Sequence, residues 1–291
     1  MTASVAEPTS FSVDRLRWQV TRDAWMRGGV IVAALVVLIA ASLIEGVSSW
    51  WLLLAMVAGM GGYFAMLSIS AQATVALAKA TVAIEVDPSR AEAVLREAIG
   101  RRPLVKSIRL LLYHRLALLR HRQGRFAEAA AICDGVLTLP LGKARPVRPS
   151  LLLLTAEARL NVHDLPRAWA ALRELYRHDV SLVEALQRLL LRTRYEVTAG
   201  YDDHALRRLD SRLQLAELMP ARQCAAMHAL LALAARRHGH AASPALRSKA
   251  ELLCEPGVYA AMERFDAAAI TAPVAPGAPG PGPGPGGVGL S

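Results

Sequence analysis

A chain of 291 residues has room for one or two domains; it is 54% apolar yet only 5% aromatic, with mean hydropathy +0.30 and net charge +10. The apolar excess is aliphatic, and Ala and Leu lose little rotamer freedom in a helix. No Asn-Gly or Asp-Gly turn separates two alternating runs, which excludes a hairpin-built sheet protein and leaves an all-helical reading.

Residues 1–24 read as a short N-terminal segment, its first ten residues disordered. Residues 25–70 read as a transmembrane helical hairpin. Gly28 to Ile44 carry no charge, and none follows from Gly46 to Ala78. A spanning helix needs about 20 predominantly apolar residues. The first run, 17 residues long, only just reaches the lower limit of about 17, with Arg27 able to snorkel at one end, and the second exceeds it. Between them lies Glu45-Gly46-Val47-Ser48-Ser49, followed by Trp50 and Trp51, a polar turn with indoles suited to the headgroup region. Small residues at four-residue spacing in the second span (Ala55 and Gly59, Ala58 and Gly62) would let helix backbones approach closely. The 27 residues before the first run include acids, and a second span follows at once, which argues against a cleaved signal peptide. Arg15, Arg17, Arg22 and Arg27 precede the first span, Lys79 and Arg90 follow the second, and the loop has no base. Positive flanks stay inside, so two spans with both termini cytoplasmic are expected. No proline or capping break occurs from Trp50 to Val86, so the second span should continue as one helix to Asp87-Pro88.

Residues 71–270 read as a helical-repeat domain. Helix-start chemistry recurs at Asp87-Pro88, Gly124-Arg125-Phe126, Asp164-Leu165-Pro166, Tyr201-Asp202-Asp203 and Ser243-Pro244. The starts fall near residues 88, 125, 165, 202 and 244, a period of 37 to 42 that marks stacked helical hairpins. Tyr113-His114-Arg115-Leu116-Ala117, followed by Gly124-Arg125-Phe126-Ala127-Glu128-Ala129, resembles a tetratricopeptide repeat. Leu152 to Leu175 matches again, with Ala156 and Ala168 at the two small positions and His163-Asp164-Leu165 in place of the glycine turn. Two later segments match more weakly, with Arg192 where a packing leucine belongs and Pro244 where the alanine belongs. The resemblance implies a TPR-like α-solenoid, and the period exceeds the 34 residues of that family. A terminal helix is expected near 257–269, and the Pro-Gly alternation of 271–291 reads as a disordered tail.

Three cysteines, Cys133, Cys224 and Cys254, stand far apart with no CxxC pair; reduced, mostly buried thiols are expected. Of the 34 basic residues, 30 lie between 71 and 272 against 20 of the 24 acids, so this stretch carries the chain's +10 by itself. Arginines such as Arg101, Arg102, Arg109, Arg120, Arg207, Arg208, Arg236 and Arg237 are spread over every helix, without the interleaved aromatics of single-strand binders. That pattern predicts a solvated basic face with weak attraction to anionic lipid, and no specific nucleic acid. No Walker loop, GxGxxG, HExxH or GxSxG motif is present, so neither an enzyme nor a cofactor is expected. His238-Gly239-His240 lacks a third ligand at helical spacing and reads as a turn. In the tetratricopeptide family the concave groove grips peptide segments. The resemblance therefore offers His114, Arg115, His121, Arg122, Glu157 and Asn161 as contact candidates for a protein partner. The lipid bilayer is the other expected partner.

Overall fold

The computed structural model describes residues 49–100 and 105–253, with Gly29 and Val36 as isolated helical positions. The first predicted span, the terminal helix near 257–269, the tail, Cys254, Arg101 and Arg102 lie outside the described residues. Among the described residues every regular element is a helix, as the composition requires. They fall into two compact units, divided between Arg148 and Pro149.

Among the described residues the first unit opens with α1 (Ser49–Val86), a single helix of 38 residues that ends two residues before Pro88. The expected continuity through Val86 is therefore present. Among the described residues no helix is long and apolar enough to cross a membrane. The side chains of 51–56, within the second predicted span, lie outside the described residues. Asp87 stops α1 and starts α2 (Pro88–Gly100). Its carboxylate accepts hydrogen bonds from Ser89 N (3.1 Å), Ser89 Oγ (2.6 Å) and Arg90 N (3.1 Å). Those are amides that the first helical turn would leave unsatisfied. The Ser89 hydroxyl and these amides hold the Asp87 carboxyl below the usual carboxylate range.

Helix α3 (Lys106–Arg122) and α4 (Phe126–Leu137) complete the unit, followed by a 3-10 turn over Gly142–Val147. Its core interlocks small and large side chains: Ala80 and Ile84 of α1, Ala91 and Leu95 of α2, and Leu112 and Leu119 of α3. Alanines at the crossing points let the backbones approach and leave the leucines to fill the gaps. A polar clamp ties the helices at one end. Arg120, side chain 11% exposed, donates to both carboxylate oxygens of Glu92 (3.0 and 2.9 Å) and to Gln123 Oε1 (2.7 Å). Arg96 and Gln123 also donate to Glu92. The Arg120 guanidinium is the main cause that lowers the Glu92 carboxyl to about 2.

The second unit contains α5 (Arg148–Asn161), α6 (Leu165–Leu175), α7 (Leu182–Thr198), α8 (Asp202–Leu206), α9 (Leu209–Ala216), α10 (Ala221–Arg237) and α11 (Ser243–Leu253). The chain turns at Arg207-Arg208, between α8 and α9. Two N-caps in this unit are well formed, the first at the expected Asp164 and the second at Ser181, a helix start that the sequence reading did not name. Asp164 accepts from Arg167 N at 3.3 Å with Pro166 in the first turn, and Ser181 and Glu184 form a reciprocal capping box. The core centres on α10, where Met227, Leu231, Ala234 and Ala235 are almost wholly buried with Ala205 and Ala216.

One turn recurs in both units. The chain leaves α3, α5, α7 and α10 through a left-handed residue: Gly124 (φ 75°), His163 (φ 58°), Gly200 (φ 78°) and Gly239 (φ 62°). In each case the next amide reaches back five residues to a helix carbonyl. These bonds are Arg125 to Arg120 (2.9 Å), Asp164 to Arg159 (2.9 Å), Tyr201 to Glu196 (2.7 Å) and His240 to Ala235 (2.8 Å). The left-handed residue itself donates to the carbonyl three before it, which completes a Schellman motif. The four turns are spaced by 39, 37 and 39 residues. Seven residues before each stands a buried small or short side chain: Ala117, Ala156, Thr193, Ala232. Five after stand Ala129, Ala168 and Ala205, all fully buried; the fourth position holds the exposed Pro244. Ala117 with Ala129 and Ala156 with Ala168 are the small positions named in the sequence, and Thr193 with Ala205 stands at the same offsets around Gly200.

Candidate partner-binding surface

The six contact candidates fall on two helices, one in each unit. His114, Arg115, His121 and Arg122 lie on α3; Glu157 and Asn161 lie on α5. His114 is half-buried, and desolvation, helped by the adjacent Arg115 cation, lowers its imidazole to about 4. It is therefore neutral at pH 7, with one donor and one acceptor nitrogen. The Nε of Arg115 is buried and has no hydrogen-bond partner among the described residues. A buried donor left without an acceptor costs about 1–3 kcal/mol, which an acceptor group from a ligand would recover.

Two of the other candidates make structural contacts. His121 meets the Phe126 ring edge-on at 5.1 Å, so it packs across the Gly124 turn. Arg122 is exposed. Asn161 Oδ1 accepts from Arg194 Nη2 at 3.0 Å, which joins α5 to α7. Glu157 is half-buried on the same helix as Asn161.

The sequence reading did not find the richest polar cluster, which lies in the second unit. Tyr176 sits with the Arg188 guanidinium 4.3 Å from its ring centroid, while Arg192 Nη1 donates to its hydroxyl at 3.0 Å. Arg192 Nε also donates to Glu196 Oε1 at 2.9 Å, and Arg212 reaches the other oxygen of Glu196 at 2.7 Å. Arg212 further donates to Thr193 Oγ1 (2.7 Å) and to the His204 carbonyl (3.1 Å). The Glu196 side chain is 0% exposed and that of Arg212 is 9%. The buried end of this network is structural; its half-buried end, Tyr176 with Arg188, is a cation stacked on a ring that a carboxylate could still approach. Arg192 is the position where the repeat pattern asked for leucine. Reading it as a lapse in the pattern hid its ion pair four residues on, the one local signal available.

Behind this cluster, Trp169 stacks on Tyr195 at 5.0 Å, and Tyr195 and Tyr201 lie 6.5 Å apart. Burial, with Tyr201 and Glu196 nearby, pushes the Tyr195 phenol to about 12. Asp202 accepts from Arg237 at 3.1 Å, and His238 approaches both Asp202 (3.8 Å) and Asp203 (3.4 Å). His238-Gly239-His240 forms the Schellman turn, and among the described residues no group of three potential ligands is placed to hold a metal ion. Cys133 and Cys224 are buried thiols, neither of them in a disulfide. One turn after Cys224, His228 is 1% exposed, and neither ring nitrogen has a hydrogen-bond partner. Burial, with the Lys249 cation nearby, holds its imidazole below the ordinary histidine value.

The basic face is thinner than the charge count suggests. Arg109, Arg120 and Arg212 are buried and Arg237 is half-buried, whereas Arg90, Arg207, Arg208 and Arg236 are exposed. Comparison with protein-family models, with curated proteins and with solved structures finds no match to this chain.

Proposed function

We propose that the chain is a membrane-tethered scaffold whose TPR-like helical repeats bind a protein partner on the cytoplasmic face. The observation that carries the repeat reading is the Schellman turn recurring at 39, 37 and 39 residues, with small residues at matching offsets. Each helix pair of this kind exposes an apolar face that only a neighbour can cover, which is the logic of a solenoid. The two uncharged runs between Gly28 and Ala78 support the tether. The exposed apolar side chains of α1 support it too, among them Trp50 (67%), Val57 (60%) and Met60 (50%), for which lipid is a natural cover. Arg115 and His114 on α3 and, separately, Arg188 over Tyr176 in the other unit are the groups we assign to partner contact; each pair by itself suits a carbonyl or carboxylate acceptor.

A second reading, an accessory subunit whose hairpin packs on another membrane protein, is favoured by Gly59, Gly61 and Gly62. A Cβ built at any of the three meets nothing within 4 Å. Two measurements test both readings. Alkaline carbonate should leave the full chain in the membrane pellet, and release into the supernatant would sink the tether. In detergent, a partner held by the repeats should be lost when residues 85–270 are deleted, whereas one held by the hairpin should remain.

A further inference from the structure

We propose that His228 is an acid-operated release for α11: its protonation frees this helix from α10 while the rest of the second unit stays folded. Cys224, His228 and Ala232 follow one another at four-residue spacing, so they line one face of α10. That face meets α11. Ser243 Oγ, at the start of α11, donates to the Ala232 carbonyl at 3.2 Å. Six residues on, the Lys249 cation acts on both the Cys224 thiol and the His228 imidazole. The two helices therefore run antiparallel, and His228 belongs to their shared face.

Nothing on that face is ready to receive a second proton. His228 is buried, and neither ring nitrogen has a hydrogen-bond partner. The neutral ring leaves one donor and one acceptor unmet; an imidazolium would leave two donors and a charge. Met227 and Leu231 beside it and Leu246 of α11 belong to an apolar core. The charges that act on it are Lys249 of α11 and Glu217 at the end of α9, which hold each other at 2.9 Å. Glu196 of α7, Arg212 of α9 and Asp202 of α8 are engaged in their own ion pairs, and Arg247 pairs with Glu251 on the outside of α11. An imidazolium at 228 thus meets a like charge and a carboxylate already engaged. The Lys249 ammonium also lowers the Glu217 carboxyl, so this pair stays ionised where histidine titrates.

Of the helices around His228, α11 is the one that can yield. Only Leu246 and Ala250 of its side chains are buried, and its Lys249 tie to Glu217 is exposed. Once α11 has moved, His228 stands in water and titrates near 6.5, whereas burial holds the closed form below that value. The open form therefore binds more protons, and acid shifts the equilibrium toward it. From pH 8 to pH 5 the open fraction should rise by up to about thirtyfold for a histidine of ordinary pKa.

The Cys224 thiol, 6% exposed and one turn from His228, reports the opening. The test uses the full chain in detergent, with Cys133→Ala and Cys254→Ala. Its reaction with 4,4′-dithiodipyridine is followed from pH 8 to pH 5, relative to glutathione under the same conditions. That ratio should rise at least about tenfold with His228 in place, and less than about twofold in His228→Leu and in His228→Met. Helical content by circular dichroism should stay constant over the same range. No rise with His228 in place, an equal rise in the two variants, or loss of helix in step with labelling would overturn the proposal. As a second readout, hydrogen exchange at pH 5 should show protection lost over 243–253 and kept over 182–198. Protection lost equally in both stretches, or in neither, would reject a local release of α11.

Discussion

Arg212 and Glu196 meet at 2.7 Å across the helices α9 and α7, with both side chains almost out of solvent. The Glu196 carboxylate is shared with Arg192, and Arg212 also holds Thr193 and the His204 carbonyl. The pair therefore fixes α8 and α9 against α7. Removing one partner strands a charge in the interior, which costs about 3–5 kcal/mol. Arg212→Met should lower the stability of the second unit by that amount in urea melts. Replacing both charges, as Glu196→Leu with Arg212→Met, should recover more than half of the loss. A single substitution that leaves the midpoint unchanged would show that water reaches the pair.

The left-handed turn residues make a second prediction. His163 adopts φ 58° where three equivalent turns use glycine. A side chain in that region costs about 1–2 kcal/mol. Gly200→Ala should therefore destabilise by about 1 kcal/mol. His163→Gly should be neutral or stabilising by up to about 1 kcal/mol. Thermal melts of the two variants should move in opposite directions or differ by several degrees.

Acid should weaken the protein in two stages. His114 binds its proton at 6.5 when unfolded and at about 4 when folded. The unfolded chain thus holds more protons throughout this window, and stability falls as pH drops from 6.5 to 4, by up to about 3 kcal/mol. His228 shifts in the same direction. His114→Leu should flatten the pH dependence in this range, with His228→Met removing a further part. Denaturation midpoints measured from pH 7 to pH 4 would check it.

Glu92 produces the second stage. Its carboxyl is lowered from 4.5 to about 2 by Arg120, so its contribution is complete above pH 4.5 and is lost as pH falls toward 2. The Glu92 side chain is 21% exposed, so solvent screening leaves about 1–2 kcal/mol of the nominal value. Arg120→Met should abolish this low-pH slope while leaving the His114 stage in place.

Continuity of α1 is testable by proline. Ala76 lies within its 38 residues, and proline there removes a backbone bond at a cost of roughly 3 kcal/mol. Spin-label distances from the hairpin to residue 120 should be narrow in the native chain and broad in Ala76→Pro. Equal breadth in both would mean that α1 does not transmit orientation.

Much of this architecture was written in local chemistry. Asp87-Pro88, Asp164-Leu165-Pro166 and Gly124 act through their own backbone: a carboxylate that caps, a ring that lacks an N–H, a residue that tolerates positive φ. Such effects reach only a few residues, so the sequence by itself determined the all-helical class and helix starts near 88, 125, 165, 202 and 244, each within one residue of the helix found. It also showed the small pairs Ala117 with Ala129 and Ala156 with Ala168. What it could not show was which arginines are buried. Arg120, Arg212 and Arg208 are alike as residues, yet the first two lie inside ion-pair networks and the third in solvent. The difference is made by Glu92, 28 positions from Arg120, and by Glu196, 16 positions from Arg212. Asn161, a groove candidate, accepts from Arg194, 33 positions away. Side-chain partners at such separations are chosen by helix packing, and helix packing exists only in the tertiary structure.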